Sequence, residues 1–286
     1  MNQIYSIITE TIIQKLEQGV VPWHKTWKSE FPRNFVNDKC YKGVNVLLLG
    51  MQDYESHYWL SFKQCQNLGG SIKKDEKSTL VVFWNQNYQI VPNTLETELY
   101  FILRYYRVFN IDQCILPDKV LEKKSIVSDK PISYHAKEVI DNYKAPPIIS
   151  TNNIIPNPRY FPRIDKIEIQ SINNFNSQDD YYSSLFHECI HSTGHSKRLN
   201  RTGISEKIEF ASDNYCKEEL IAEIGSCFLC NYTNIEKTID NQTSYIDNWL
   251  KALKSDKRLI IFAASAAQKA VDYILNLSVT NNEVNQ

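Results

Sequence analysis

The segment Phe186-His187-Glu188-Cys189-Ile190-His191 contains the motif H-E-x-x-H. Apolar residues recur around it at spacings of three and four, a pattern that predicts the buried face of a helix. Two histidines four residues apart project from the same helix face, so both imidazoles can bind one zinc ion. Glu188 follows the first histidine and is the predicted general base, which accepts a proton from the activated water.

The residues that flank the motif predict where this helix begins and ends. Gln178, Asp179 and Asp180 offer an N-terminal cap and acidic first-turn residues, which favour a helix start. Gly194 follows the last apolar turn, and we expect it to end the helix in the left-handed conformation that glycine adopts without strain. A motif within a helix that has a defined start and end favours a zinc site over a chance match.

A zinc site with two histidines needs a third protein ligand, with the fourth position left for water. An extended zincin pattern would place a third histidine where this chain has Lys197, and His195 comes two residues too early. A later acidic segment predicts a second helix that carries Glu219 and Glu223 on one face. We assign Glu219 as the ligand and Glu223 as the partner of an imidazole N–H, with Glu223 as the alternative ligand. Glu218 is predicted to be a solvated surface charge.

Composition fits a globular protein of one large or two ordinary domains. The chain has 286 residues, of which 42% are hydrophobic and 12% aromatic, and this suffices for a packed core. A formal net charge of −1 excludes nucleic-acid binding that is driven by global charge, so any such site must be a local patch.

Cysteine usage and the apolar runs predict a cytoplasmic protein. Seven cysteines at irregular spacing favour reduced thiols over a disulfide framework. The C-x-x-C pair Cys227 and Cys230 lies in an apolar helical run and is interpreted as core rather than as a redox or metal site. The first residues lack the basic-then-apolar order of a signal peptide, and no apolar run reaches the length of a membrane span.

The N-terminal half predicts helices followed by a curled antiparallel sheet. Residues Ile4–Leu16 carry a helical apolar stripe, and Trp59–Gln64 is predicted to begin another helix. Thr79–Trp84 and Tyr100–Phe109 are rich in aromatic and β-branched residues and predict two long partner strands.

The C-terminal half predicts a second domain built around the H-E-x-x-H helix. The charged segment 117–130 shows no clear period and is interpreted as a linker, which divides the chain into domains 1–125 and 126–286. Short strands are predicted at 148–149, 154–155 and 164–169. Zincin domains place such a strand above the metal helix, where an extended peptide can pair with its edge. The predicted fold class is α+β.

Aromatic rings and cations are interleaved in the N-terminal half, which is the combination that binds single-stranded DNA. Rings stack on bases, and lysine and arginine side chains follow the phosphates without reading the sequence. The predicted binding residues are Trp23, Trp27, Tyr41, Lys42, Lys73, Lys74, Lys77, Arg104 and Arg107. The alternative is structural: both tryptophans are buried and serve only packing, and the lysine-rich segment is a solvated turn.

A set of motifs in a fixed order runs through nearly the whole chain. The motifs are Leu16–Trp23, Tyr41–Leu49, Gly69–Trp84, Val108–Gln113, Phe186–His195, Arg198–Arg201, Glu218–Glu223, Tyr245–Leu250 and Ala264–Ala270. Together they resemble the ArdC-type antirestriction proteins, which are related to the conjugative primase TraC. The resemblance implies a single-stranded-DNA-binding domain followed by a zincin-like metallopeptidase domain. It also implies carriage on a mobile element and protection of incoming DNA from host restriction.

Three functions remain compatible with these observations. The first is a single-strand-binding antirestriction protein with a zinc metallopeptidase-like domain, which the resemblance favours. The second is a cytosolic zinc metallopeptidase whose N-terminal domain recruits protein substrates, and the third is a DNA-binding module with a structural metal. Salt-dependent binding of single strands separates the first and third from the second, and peptide cleavage separates the first and second from the third.

Overall fold

The computed structural model of the chain describes residues 3–23, 30–90, 97–127, 135–201, 204, 213–235 and 243–277. Within these ranges the fold is α+β, as the sequence predicts. A curled, mainly antiparallel sheet with helices lies in the N-terminal half, and its short strand at one edge pairs in parallel. A small mixed sheet and a layer of long helices form the C-terminal half.

The elements of the N-terminal half confirm its predicted helix-and-sheet composition. The described helices are α1 (Gln3–Glu17), α2 (Val44–Gly50), α3 (Phe62–Asn67) and α4 (Asp118–Val127). The described strands are β1 (Arg33–Asn34), β2 (Tyr58–Ser61), β3 (Ser71–Ile72), β4 (Thr79–Ile90), β5 (Thr97–Asn110) and β6 (Cys114–Ile115). The main sheet has the order β1-β2-β5-β4, and β3 pairs with β6 in a separate two-stranded sheet.

Strands β4 and β5 form the long antiparallel pair that the sequence predicts. Their register places Thr79 opposite Val108. Aromatic and β-branched residues favour this pairing because they pack well on a pleated surface. In β5, Leu103 and Val108 are buried whereas Arg104 and Arg107 are exposed, so one strand serves both the core and the surface.

The helix predicted to begin at Trp59 begins instead at Phe62. Trp59 and Leu60 are buried in strand β2. The Ser61 hydroxyl accepts the Gln64 backbone N–H at 3.2 Å, and the Gln64 side-chain oxygen accepts the Ser61 N–H at 2.8 Å. This capping box satisfies two donors at the helix start, so the prediction was wrong about where the helix begins.

The segment predicted as a linker contains helix α4. Pro117 and Asp118 favour a helix start, and Val120 packs against the small core beneath β3 and β6. The absence of a clear apolar period thus did not reveal the helix Asp118–Val127, and the interpretation of the segment as a linker stays a prediction. One apolar anchor and an acidic first turn were sufficient for a helix without a clear apolar period.

The C-terminal half combines long helices with a three-stranded sheet. The described helices are α5 (Ala136–Asp141), α6 (Gln178–Thr193), α7 (Asp213–Tyr232), α8 (Thr243–Ser255) and α9 (Leu259–Ile274). The strands β7 (Ile148–Thr151), β8 (Arg159–Phe161) and β9 (Lys166–Ile169) have the order β7-β9-β8. The strands predicted at 148–149 and 164–169 are confirmed, whereas residues 154–155 lie outside the strands.

Helices α6 and α7 pack closely because Gly225 faces Ile190. A β-carbon at position 225 would lie 2.8 Å from Ile190 Cδ1, closer than side-chain atoms tolerate. The alanine-rich helix α9 packs against both helices. Cys227 and Cys230 are buried in the same layer, which confirms the interpretation of this pair as core. The close approach brings one face of α7 against the histidine face of α6.

The two halves of the chain share one hydrophobic core. The largest cluster of buried residues includes Ile8 and Trp23 from the N-terminal half and Phe228 and Ala264 from the C-terminal half. Trp23 contacts Trp249 edge-on, with the ring centroids 5.1 Å apart. Among the described residues, no helix is both long and apolar enough to cross a membrane.

Candidate functional site

Helix α6 carries the H-E-x-x-H motif and is capped one residue before the predicted start. The Ser177 hydroxyl accepts the Asp180 backbone N–H at 3.0 Å. Gly194 follows the helix with φ −73°, so the prediction of a left-handed conformation is wrong. The position requires glycine for space, because a β-carbon there would lie 2.5 Å from Ile204 Cγ1.

The three residues predicted as ligands bring their donor atoms together. His187 Nε2 lies 3.1 Å from His191 Nε2, and the two Glu219 oxygens lie 3.5 and 3.6 Å from these nitrogens. Ligand atoms roughly 2.0–2.1 Å from a zinc ion in a tetrahedron lie about 3.3 Å from one another. The observed spacing therefore fits one ion. Among the described residues, these three form the cluster whose donor atoms could hold a metal.

Each imidazole has a carboxylate beside its other ring nitrogen. Glu223 Oε1 lies 3.3 Å from His187 Nδ1, and Glu218 Oε1 lies 3.2 Å from His191 Nδ1. A carboxylate in this place holds the ring proton on Nδ1 and leaves the Nε2 lone pair for a metal. Two Nε2 lone pairs and the Glu219 carboxylate then converge as acceptors, and a cation between them satisfies all three.

The carboxylates around the cluster also favour positive charge on the two imidazoles. Burial lowers the pKa of both imidazoles, but the neighbouring carboxylates outweigh burial. Glu219 and Glu223 raise the pKa of His187 to about 10. Glu218 is the main cause of the raised pKa of His191. Two imidazoles and one carboxylate are a donor set found in catalytic zinc sites, in which water takes the fourth position.

Glu218 is buried, so the prediction that it is a solvated surface charge is wrong. It is 5% exposed and contacts both His191 and Arg201. The prediction rested on the shared face of Glu219 and Glu223, which are four residues apart on α7. Glu218 precedes Glu219 and points about 100° away from it around the helix, so that spacing did not indicate where Glu218 lies. Both carboxylates reach α6 because the helices approach closely at Gly225. The sequence signal for a buried Glu218 was Arg201, a cation close behind the motif that can pair with a second carboxylate.

Glu188, the predicted base, lies on the part of α6 that faces strand β8. Its Oε2 accepts the Tyr160 backbone N–H at 2.6 Å. Strand β8 lies at an edge of its sheet, so the carboxylate is tied to the edge strand beside the motif helix. This hydrogen bond engages one of the two carboxylate oxygens.

Two of the predicted DNA-stacking residues lie in the core. Trp23 is 1% exposed and Tyr41 is 8% exposed. Tyr41 belongs to a buried cluster with Trp59, and Trp23 packs against Trp249. A base stacks only on an open ring face, so the predictions for Trp23 and Tyr41 are wrong. Trp27 lies outside the described residues.

The predicted cations divide into one partly exposed lysine that is paired with an aspartate and a group of exposed side chains. Lys42 lies where the two halves meet, with Nζ 3.3 Å from Asp272 Oδ2. The exposed cations are Lys73, Lys74, Lys77, Arg104 and Arg107. Arg107 Nη1 donates to Ser78 Oγ at 3.4 Å, so its guanidinium lies beside the turn that carries the three lysines. We call Lys73, Lys74, Lys77 and Arg107 the cation patch. Arg104 is three residues from Arg107 on β5 and therefore faces the other side of the sheet.

Tyr105 is an exposed aromatic residue that is absent from the predicted DNA-binding residues. It is 50% exposed on β5 and lies opposite the buried residue Val82. Tyr105 shares a sheet face with Val82 and Leu103, and its exposure places it at the edge of the area that these residues bury. Its position between Arg104 and Arg107 was the available sequence signal.

Comparison with known proteins adds the following findings. Residues 2–109 match the N-terminal domain of anti-restriction factor ArdC, and residues 136–266 match a zincin-like metallopeptidase family. The fold resembles the metal-free crystal structure of antirestriction protein ArdC from plasmid R388, with TM-score 0.76 and 34% identity over 94% of this chain and 96% of that one. The Mn(II)-bound structure of that protein gives TM-score 0.76 and 32% identity over 97% and 98% of the two chains.

Curated relatives include longer proteins. The chain is 29% identical to a DNA primase TraC of Escherichia coli over 95% of its own length, and it spans 20% of that primase. It spans 26% of a second TraC from the same species, at 27% identity. An uncharacterized protein y4eC of Sinorhizobium fredii is 29% identical, and the match covers 95% of this chain and 91% of that protein.

Proposed function

The chain belongs to the family of the ArdC antirestriction proteins, and from this we propose that it binds single-stranded DNA and protects the incoming DNA of a mobile element from host restriction. The observation that carries the proposal is the cation patch, four exposed positive side chains on a protein whose net charge is only −1. Phosphates bind such a local patch even when the whole protein is nearly neutral. We place this function in the cytoplasm.

The arrangement of the patch supports a strand that follows the β3–β4 turn and crosses β5. The turn supplies three lysines, and Arg107 extends the positive charge from the turn onto the strand. Tyr105 is half exposed and shares a strand face with Arg107, since residues two apart on a strand point to the same side. A base can stack on this ring while its phosphates contact the neighbouring cations. Asp75 and Glu76 lie in the same turn and moderate its charge.

A fluorescence-anisotropy titration of the full chain tests the proposal. We expect tighter binding to a single-stranded oligonucleotide than to the corresponding duplex, and an affinity that falls steeply between two salt concentrations. Replacing Lys73, Lys74 and Lys77 by alanine together should weaken binding, whereas the exposed control Lys251→Ala should not. Equal affinity for duplex and single strand, or equal loss in the control, would contradict the proposal.

We further propose that His187, His191 and Glu219 hold one zinc ion, with Glu223 and Glu218 at the outer ring nitrogens. The spacing of the donor atoms and the donor set support zinc, although one relative is described with Mn(II). When bound, a zinc ion supplies Lewis-acid activation of water to a site of this kind. Elemental analysis of the purified protein should give about one zinc per chain.

Peptide hydrolysis is the second candidate function. The zincin-like match and the position of Glu188 beside the edge strand β8 favour it, because an extended peptide can pair with such an edge. In this proposal Glu188 accepts a proton from water at the open position, and β8 holds the carboxylate in place. Glu188→Gln should retain the metal and the fold while any peptide or casein cleavage disappears. Cleavage that persists in Glu188→Gln would exclude this role.

The proposed functions divide along the chain as the sequence suggests. The cation patch lies within residues 1–125, and the metal ligands lie within residues 126–286. We propose that the division concerns function and not folding, because both parts contribute residues to one hydrophobic core. The alternative function is that of a zinc metallopeptidase. In that case residues 126–286 carry the activity, and residues 1–125 recruit protein substrates.

A further inference from the structure

The segment after helix α6 folds back and places Arg201 across the end of the motif helix. Arg201 Nη1 donates to Thr193 Oγ1 at 2.5 Å, and Nη2 donates to the Ile190 carbonyl at 2.8 Å. Ile190 and Thr193 both lie in the last turn of α6, where carbonyl groups lack backbone N–H partners within the helix, and the Thr193 hydroxyl also donates to the Ile190 carbonyl at 2.6 Å. The guanidinium therefore completes the end of the helix that carries both histidines.

The same guanidinium also binds Glu218 on the neighbouring helix. Arg201 Nη2 lies 2.5 Å from Glu218 Oε1, and Nε lies 3.1 Å from Glu218 Oε2. This two-point contact matches the planar fork of arginine to both carboxylate oxygens. Glu218 Oε1 is in turn the atom nearest to His191 Nδ1, at 3.2 Å. A continuous chain of contacts runs from Arg201 through Glu218 to the proposed ligand His191.

Gly194 leaves the space that this chain of contacts needs. A β-carbon at position 194 would lie 3.1 Å from Arg201 Nη2 and 2.5 Å from Ile204 Cγ1. The φ of Gly194 is −73°, which any residue can adopt, so backbone conformation does not explain the glycine. The cost of a side chain there is displacement of the guanidinium and of the segment that carries it.

The two histidines are held in different ways at their outer nitrogens. The Glu223 side chain beside His187 is 21% exposed, whereas the Glu218 side chain beside His191 is 6% exposed. A carboxylate as buried as Glu218 requires a paired charge, because an uncompensated charge is costly in the protein interior. Arg201 supplies that charge and fixes the direction of both carboxylate oxygens.

We propose that Arg201 and Glu218 form a positioning pair that holds His191 in the tautomer and orientation for metal binding, with Gly194 making room for the arginine. The inference rests on the proposed metal site. It adds a pair of residues that touch neither the metal nor a substrate and act through His191.

Zinc affinity of the full chain, measured by competition with a chromophoric chelator, tests the pair. Glu218→Gln keeps the size of the side chain, but its amide presents a donor where the carboxylate meets donors from His191 and Arg201. We expect affinity to fall by about 10–100-fold, as for other residues that orient a ligand histidine. The zinc affinity of Arg201→Met should fall by a similar factor. The zinc affinity of Arg201→Lys should fall less, because lysine keeps the charge but lacks the planar fork of the guanidinium.

A cobalt(II) spectrum and the melting temperature of the metal-free protein separate positioning from stability. Variants that fold like wild type but bind zinc weakly and show a changed cobalt spectrum support the pair. Unchanged affinity in folded variants would overturn it, and so would failure of both Glu218→Gln and Arg201→Lys to fold, since the pair would then serve structure alone. If wild type itself binds no zinc, the proposed metal site fails before the pair is tested.

Discussion

The metal site and the cation patch differ in how their residues are held. The proposed ligands project from α6 and α7, two helices that are packed against each other, and their carboxylate partners are mostly shielded from water. The cations lie on a turn and on an exposed strand face, and their side chains are open to solvent. Helix register sets positions to within one turn, whereas exposure on a sheet depends on what covers each face. The spacing of residues in the sequence is therefore informative for the first region and weak for the second.

The largest expected effect separates core aromatic residues from the DNA surface. Trp23→Ala should lower the free energy of unfolding by about 3–5 kcal/mol, because it removes a buried indole that contacts Trp249. Chemical denaturation measures this, and anisotropy measured on the folded fraction should show unchanged affinity for single strands. A loss of affinity per folded molecule would show that Trp23 contributes to DNA binding as well as to packing, and would contradict the separation of core from DNA-binding residues. Trp23→Phe, which keeps a buried ring, should have a smaller effect.

The next effect sharpens the assignment within the metal site. Glu219→Ala should lower zinc affinity by more than the roughly 10–100-fold expected for Glu223→Ala, since Glu219 reaches both histidines and Glu223 reaches the outer nitrogen of one. Titration with a competing chelator distinguishes the two variants. Retention of zinc in Glu219→Ala together with its loss in Glu223→Ala would make Glu223 the ligand.

A smaller effect tests whether the exposed surface contains a stacking ring. Tyr105→Ala should weaken binding of single-stranded DNA at least fivefold, because one stacked base contributes roughly 1–3 kcal/mol. Tyr105→Phe keeps the ring and should bind almost as tightly as wild type. The melting temperature should change little, because half of the side chain is already exposed. Equal affinity of wild type, Tyr105→Ala and Tyr105→Phe would show that no base stacks on Tyr105 and that the cation patch binds DNA through charge alone.

The smallest effect concerns a single cation. Arg107→Ala should weaken binding to all sequences alike and reduce the slope of log affinity against log salt by about 1, as expected when one phosphate contact is lost. Anisotropy titrations at several salt concentrations measure the slope, with Lys251→Ala as the control. A slope equal to that of wild type would place Arg107 outside the DNA path.

The prediction of secondary structure succeeded where a strong apolar period or a β-rich run was present. Strands β4 and β5 and helix α6 were found from such patterns. Helix α4 was missed because it is short and charged, and the start of α3 was misplaced because buried residues of β2 precede it directly. Periodicity within a window does not show where one element ends and the next begins when buried residues lie directly before the boundary.

The sequence by itself determined which side chains are proposed as metal ligands, because the residues of H-E-x-x-H, and two glutamates four residues apart, have fixed directions on helices. Tertiary structure decided which neighbouring groups support them. Glu218 is buried because Gly225 lets α7 approach α6, and Arg201 reaches it because Gly194 leaves space. Tertiary structure also decided that Trp23 and Tyr41 are core while Tyr105 is exposed. Burial depends on elements that are distant in the chain, and no local spacing encodes which of them will cover a given ring.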